Sequence, residues 1–133
     1  MNKLPAVISK VEKQESLCFL ELDASGIPLS MLMFDLKPSF TEGRKVYVLF
    51  KETEVVLARH LCGDISLSNR FQAVVTAVNK GALLADVTLS CRAGEFCSIV
   101  TMQAVERLGL KTNDEVTVLM TASQLSLEMS HDT

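Results

Sequence analysis

Polar and apolar residues alternate along most of this chain with a period of two, the pattern of strands that bury one face and expose the other. The alternation predicts strands over roughly 4–12, 17–23, 28–35, 45–50 and 54–59, then over 71–79, 83–90, 95–101, 115–120 and 124–128. One stretch breaks the pattern. Thr101 has the character of a helix N-cap, Met102 to Leu108 supplies a turn or two, and Gly109 provides the stop. In the first series Asp35-Leu36-Lys37-Pro38 stands at the corresponding place, a degenerate version of that helix. The polar end from Met129 to Thr133 predicts a frayed tail.

The two series are one series written twice. Ala6 matches Ala73, Val7 matches Val74, Val11 matches Val78, Lys13 matches Lys80 and Leu22 matches Leu89, all at an offset of 67. Val46 then falls on Val116, Val48 on Val118, Leu49 on Leu119 and Leu57 on Leu127, at an offset of 70. Mostly apolar matches in the same order are what equivalent inward positions of two like units produce. Gly26 and Gly94 punctuate the same hairpin, while Gly43 and Asn113 fall in the same turn, where a positive φ costs those residues little. The predicted class is all-β, as two tandem OB-like five-stranded barrels with one short helix. The units run over 1–60 and 61–133, joined near residues 60 to 68. A lone unit of about 60 residues buries too little surface to be robust, so the units should pack together or oligomerise.

Composition narrows the function. With 48% hydrophobic and 22% charged residues the chain can bury a real core. The net charge of -3 gives no long-range attraction for nucleic acid or an anionic membrane, so an anion must be held by local donors. Cys18, Cys62, Cys91 and Cys97 form no Cys-x-x-Cys pair, and the N-terminus has no apolar signal core; both predict reduced thiols in the cytoplasm. Apolar runs such as Val55-Val56-Leu57-Ala58 are far shorter than the ~20 residues of a membrane-spanning helix. Catalysis finds no support, since there is no nucleophile elbow, phosphate loop or paired-histidine motif. The expectation is a non-enzyme with no organic cofactor and no resident metal.

Ser66-Leu67-Ser68-Asn69-Arg70-Phe71, Ile99-Val100-Thr101, Leu108-Gly109-Leu110-Lys111 and Met120-Thr121-Ala122-Ser123 together resemble the molbindin family. These are molybdate-binding barrels of the transport-associated OB (TOBE) type. In that family a unit opens with Ser-Ala-Arg-Asn, continues to Ile-Thr-x-x-Ser before a short helix ending Leu-Gly-Leu, and closes with Lys-Ala-Thr or Lys-Ala-Ser. The first half, from Asn2-Lys3-Leu4-Pro5 through Ile8-Ser9 to Phe50-Lys51, is similar to the second such unit in the ligand-binding half of bacterial molybdate-responsive regulators. That order of units is also seen in stand-alone two-unit molbindins.

The resemblance implies a bound molybdate or tungstate. A tetrahedral dianion needs amide, hydroxyl and cationic donors to replace its hydration shell. Ser66, Asn69 and Thr101 keep the motif's serine, asparagine and threonine, whereas its arginine falls on Ser68, its helix serine on Ala104 and its closing lysine on Thr121. Two cations stand near enough in sequence to substitute: Lys51, at the closing-lysine position of the first half, and Arg70, two residues beyond Ser68. The candidate oxyanion ligands are therefore Ser66, Ser68, Asn69, Arg70, Thr101 and Lys51.

Competing readings are plain. Thr101 can be only a cap, Lys51 and Arg70 only solvated charges, and Ser66 and Ser68 only linker residues. Cys91 and Cys97 could face each other across a hairpin as metal ligands. The expected role is a cytoplasmic molybdate or tungstate binder for molybdenum storage or homeostasis, the anion lying at unit or subunit interfaces of a homo-oligomer, trimer or dimer. The alternative is an oligomerisation or regulatory interaction domain whose anion site has degenerated. Single-stranded nucleic-acid binding needs aromatic platforms and a basic groove, which six Phe, one Tyr and no Trp on an acidic chain do not supply.

Overall fold

In chain order the strands are β1 (Asn2–Gln14), β2 (Leu17–Ala24), β3 (Ile27–Phe34), β4 (Lys45–Phe50) and β5 (Val56–Ala58), followed by β6 (Asn69–Lys80), β7 (Leu84–Cys91), β8 (Gly94–Thr101), β9 (Glu115–Met120) and β10 (Ser126–Met129). The helix α1 (Met102–Leu108) lies between β8 and β9, and single 3-10 turns, Glu52–Glu54 and Ala122–Gln124, precede β5 and β10. This is a computed structural model, and it describes residues 1–130; His131 lies outside the described residues. The all-β expectation with one short helix holds, and each predicted strand is present within a few residues of its expected bounds.

The strands form two curled five-stranded antiparallel sheets of OB-like character. Their orders are β10-β4-β1-β2-β3 and β5-β9-β6-β7-β8. Each sheet therefore takes its last strand from the other half of the chain: Leu127 pairs with Val48, and Leu57 pairs with Val118. The tail predicted to fray from Met129 is in part a paired strand, with Met129 opposite Val46 and the Ser130 amide donating to the Lys45 carbonyl at 3.3 Å. Backbone partners on β4 there take the place of water.

The repeat is a repeat of backbone hydrogen bonding as well as of sequence. β1 bulges between Ile8 and Lys10, and β6 bulges between Val75 and Ala77. The hydroxyl of the bulged residue donates to the strand alongside in both, Ser9 to the Glu21 carbonyl at 2.9 Å and Thr76 to the Thr88 carbonyl at 3.3 Å. The turn before the fourth strand is held at 2.7 Å in both halves, by Gly43 N–H on the Ile8 carbonyl and Asn113 N–H on the Val75 carbonyl. Gly43 (φ 85°) and Asn113 (φ 77°) sit there in the left-handed region, as the sequence predicts. Gly26 and Gly94 share a hairpin but not a position, because Gly26 lies in its turn whereas Gly94 is the first residue of β8 and pairs with Cys91.

Alternation fills one shared core. Buried residues from both halves form a single cluster, with Ile8, Leu20, Met31, Val48, Val75, Val87, Leu89 and Val118 essentially inaccessible. Phe96 joins the halves through an edge-on contact with Phe50 (5.7 Å between centroids) and a tilted one with Phe71 (5.9 Å). Among the described residues no helix is long and apolar enough to cross a membrane.

Candidate oxyanion site

The six candidate residues separate into two sets. Lys51 opens the 3-10 turn after β4, and the following Thr53 lines a groove of about 430 Å³ together with Thr101, Ala104, Arg107 and Leu108. Thr101 ends β8 in extended geometry and its side chain accepts the Ala104 amide at 3.0 Å, capping α1 as the sequence predicts. Gly109 closes the helix with φ 60°, a conformation that residues with a Cβ disfavour, and its N–H reaches the Glu106 and Val105 carbonyls. Arg107, which the sequence reading did not single out, enters the same groove. Its position three residues beyond Ala104 on a helix was the available signal.

Ser66, Ser68, Asn69 and Arg70 form the second set, on the other side of the repeat. Ser66 and Ser68 are exposed in the 59–68 connection. Arg70 turns its guanidinium back onto that connection, donating to the Gly63 carbonyl at 2.7 Å and the Leu61 carbonyl at 3.5 Å. Asn69 is fully buried, and both ends of its amide bind the backbone of Ser30: Nδ2 donates to the carbonyl at 3.0 Å and Oδ1 accepts the N–H at 2.7 Å. Its counterpart in the repeat, Asn2, makes the same pair of bonds to Cys97, at 2.7 and 2.8 Å. These asparagines are matching clasps that fasten each half to an edge strand of the other.

The clasps and the two 3-10 turns define a pair of equivalent crevices. Lys51 and Thr121 hold the same place, with φ/ψ of -79°/146° and -79°/149°. The first crevice contains Thr53 and Thr101; the second, also about 430 Å³, is lined by Leu17, Met31, Leu32, Phe34, Ser123 and Leu125 among others. Within one chain the walls of both are largely apolar; hydroxyls line both, Arg107 is the one charged residue lining the first, and Lys51 stands two residues before the lining residue Thr53. A third cavity of about 380 Å³, between Asp23, Ser25, Lys45 and Tyr47, contains none of the candidate residues.

Electrostatics near Lys51 are local. The N-terminal ammonium of Met1 lies 2.9 Å from Glu52, and its hydrogen bond, followed by one from the backbone of Glu52, holds that carboxyl below the ordinary glutamate range. Glu54 accepts the Lys51 backbone N–H at 3.3 Å. Among the described residues the Lys51 ammonium and the Arg107 guanidinium have no carboxylate partner. No group of three or more histidine, cysteine, aspartate or glutamate side chains that could hold a metal ion occurs among them either. The idea that Cys91 and Cys97 face each other fails on register. Cys91 pairs with Gly94 and Cys97 with Thr88, an odd separation that puts the two thiols on opposite faces of the hairpin. All four cysteines are free.

Comparison with known proteins agrees with this architecture. Residues 65–127 match the TOBE domain model. The molybdenum-pterin-binding protein 3 of Clostridium pasteurianum is 31% identical over 65 residues, which are 48% of this chain and 96% of that protein. The crystal structure of a cytoplasmic molybdate-binding protein, ModG, in a form with molybdate bound, superposes with a TM-score of 0.90 at 24% identity, covering 97% of this chain and 96% of that one. That superposition establishes the fold along the whole chain. With nearly the full length of the clostridial relative matched, and with its unit recurring here in tandem, the chain belongs to the molbindin family of TOBE-domain proteins.

Proposed function

We propose that this protein binds molybdate or tungstate in the cytoplasm, for molybdenum storage or homeostasis, and catalyses no reaction. The observation that carries the reading is the family membership: a relative named for binding a molybdenum compound matches about half of the chain over nearly its own full length, and a protein described as molybdate-binding shares the whole fold. Thr101 and Lys51 supply a hydroxyl and a cation at one crevice, and Ser66, Ser68 and Arg70 supply donors at the other side of the repeat. Asn69 contributes by position, since its amide already serves Ser30. A second copy of the chain brings the two sets together, so that the anion lies between subunits of a trimer or dimer. The division of the sequence into units 1–60 and 61–133 belongs to the same proposal, with the closing strands exchanged across it. Elemental analysis after native purification, followed by calorimetry with molybdate, tungstate, sulfate and phosphate, tests this reading. Silence with all four anions rejects it.

One observation favours a second reading. Phe34 is 68% exposed, and with Leu17 and Leu32 it rims an apolar crevice, as a surface that docks another chain would. An assembly module with a lapsed anion site predicts a stable oligomer by light scattering and no calorimetric response to any oxyanion.

A further inference from the structure

The repeat gives this chain the same crevice twice, and the two have diverged in charge while keeping one backbone. At the first, Lys51 opens the turn, and Thr101 and Arg107 line the groove beside Thr53. The carboxylates next to Lys51 are already engaged, Glu52 with the Met1 ammonium and Glu54 with a backbone amide. At the second crevice the place of Lys51 is taken by Thr121, whose hydroxyl donates to Gln124 at 2.8 Å. The place of Thr101, 67 residues earlier, is taken by Phe34, and no charged side chain lines the groove.

A dianion that leaves water must be compensated, and an apolar wall with one engaged hydroxyl does not compensate it. Two cations without carboxylate partners do, and a guanidinium offers a planar pair of N–H donors to neighbouring oxygens of a tetrahedral anion. Resting on the anion-carrier reading above, we propose that each chain binds one oxyanion, at the crevice of Lys51, Thr101 and Arg107. Arg107 serves as the second cation there, and the equivalent crevice of Thr121 and Phe34 binds none.

Titration calorimetry of the full-length protein with sodium molybdate tests this. The expected stoichiometry is one anion per chain. K51T installs the residue already present at the equivalent place, so it preserves the turn; it and R107Q should each weaken binding by at least about tenfold, the loss of one charge-assisted contact. T121V should leave affinity and stoichiometry unchanged. Circular dichroism confirms that each variant is folded. Two anions per wild-type chain, wild-type affinity in K51T, or loss of binding in T121V would overturn the assignment of the crevice, and wild-type affinity in R107Q would remove Arg107 from it. Folded wild-type protein that takes up neither molybdate nor tungstate fails earlier, at the carrier reading itself.

Discussion

The two sheets bulge at the same residue, turn on the same hydrogen bond and clasp each other through the same asparagine, yet their rims have little in common. Where the second sheet places Arg59 against Asp114 at 3.3 Å, with the Leu108 and Gly109 carbonyls also bound, the first sheet has Met129 beside Arg44. Where the second half has a capped helix, the first has a short loop that leaves Phe34 bare. Positions that satisfy backbone donors and acceptors are the same in both halves because leaving them unpaired is costly. Side chains at the crevice mouths carry no such obligation, and it is there that one crevice became cationic and the other greasy.

The largest test of this comparison lies in the core. Phe96 contacts both Phe50 and Phe71, so Phe96→Ala should cost about 3–5 kcal/mol in chemical denaturation. Leu29, the buried residue at the equivalent place, has no such ring cluster, and Leu29→Ala should cost less. The reverse order would mean that the aromatic trio does not centre the core. The clasps come next. Asn69→Ala and Asn2→Ala each strand a backbone N–H and C=O, at about 2 kcal/mol apiece. Asn69, 0% exposed against 7% for Asn2, should show the greater loss. Strongly unequal values would break the symmetry of the halves.

Smaller effects separate the crevices. Thr101→Ala removes a helix cap and should lower stability by about 1 kcal/mol. Phe34→Thr, at the same place in the other half, should leave stability nearly unchanged while reducing self-association in analytical ultracentrifugation. The smallest effect is that of pH at Glu52. Its folded-state pKa is held below the ordinary glutamate range by the Met1 ammonium, so the contribution of its ion pair is present above the unfolded value and fades as pH falls through the folded one. Both partners are substantially exposed to solvent and salt, so Glu52→Gln should be nearly silent at pH 7 and should flatten the acid limb of the stability profile slightly.

Much of this was readable in advance. Alternation located the strands because a buried face repeats every second residue, and Thr101 with Gly109 bracketed the helix because caps are local chemistry. Strand partners were not readable. Val56–Ala58 and Ser126–Met129 carry the same faces whichever sheet they join, so their exchange leaves no mark on the pattern. Asn69 could be matched to a motif, but its burial against Ser30 depends on a residue 39 positions away in sequence. The hint was Asn2, which repeats it at the offset of 67, just upstream of where the clear similarity begins. The separation of Lys51 and Thr101 from Ser66, Ser68 and Arg70 was hidden for the same reason, being a product of how the halves cross.

That crossing gives the protein a property of a woven object. A cut anywhere between residues 59 and 68 leaves each fragment gripping the other's final ribbon, Val56–Ala58 in one sheet and Ser126–Met129 in the other. Neither piece can drift off until a row of interstrand bonds is unzipped. Melting should therefore run as one event for the entire molecule, and a nicked sample should still elute as a single particle.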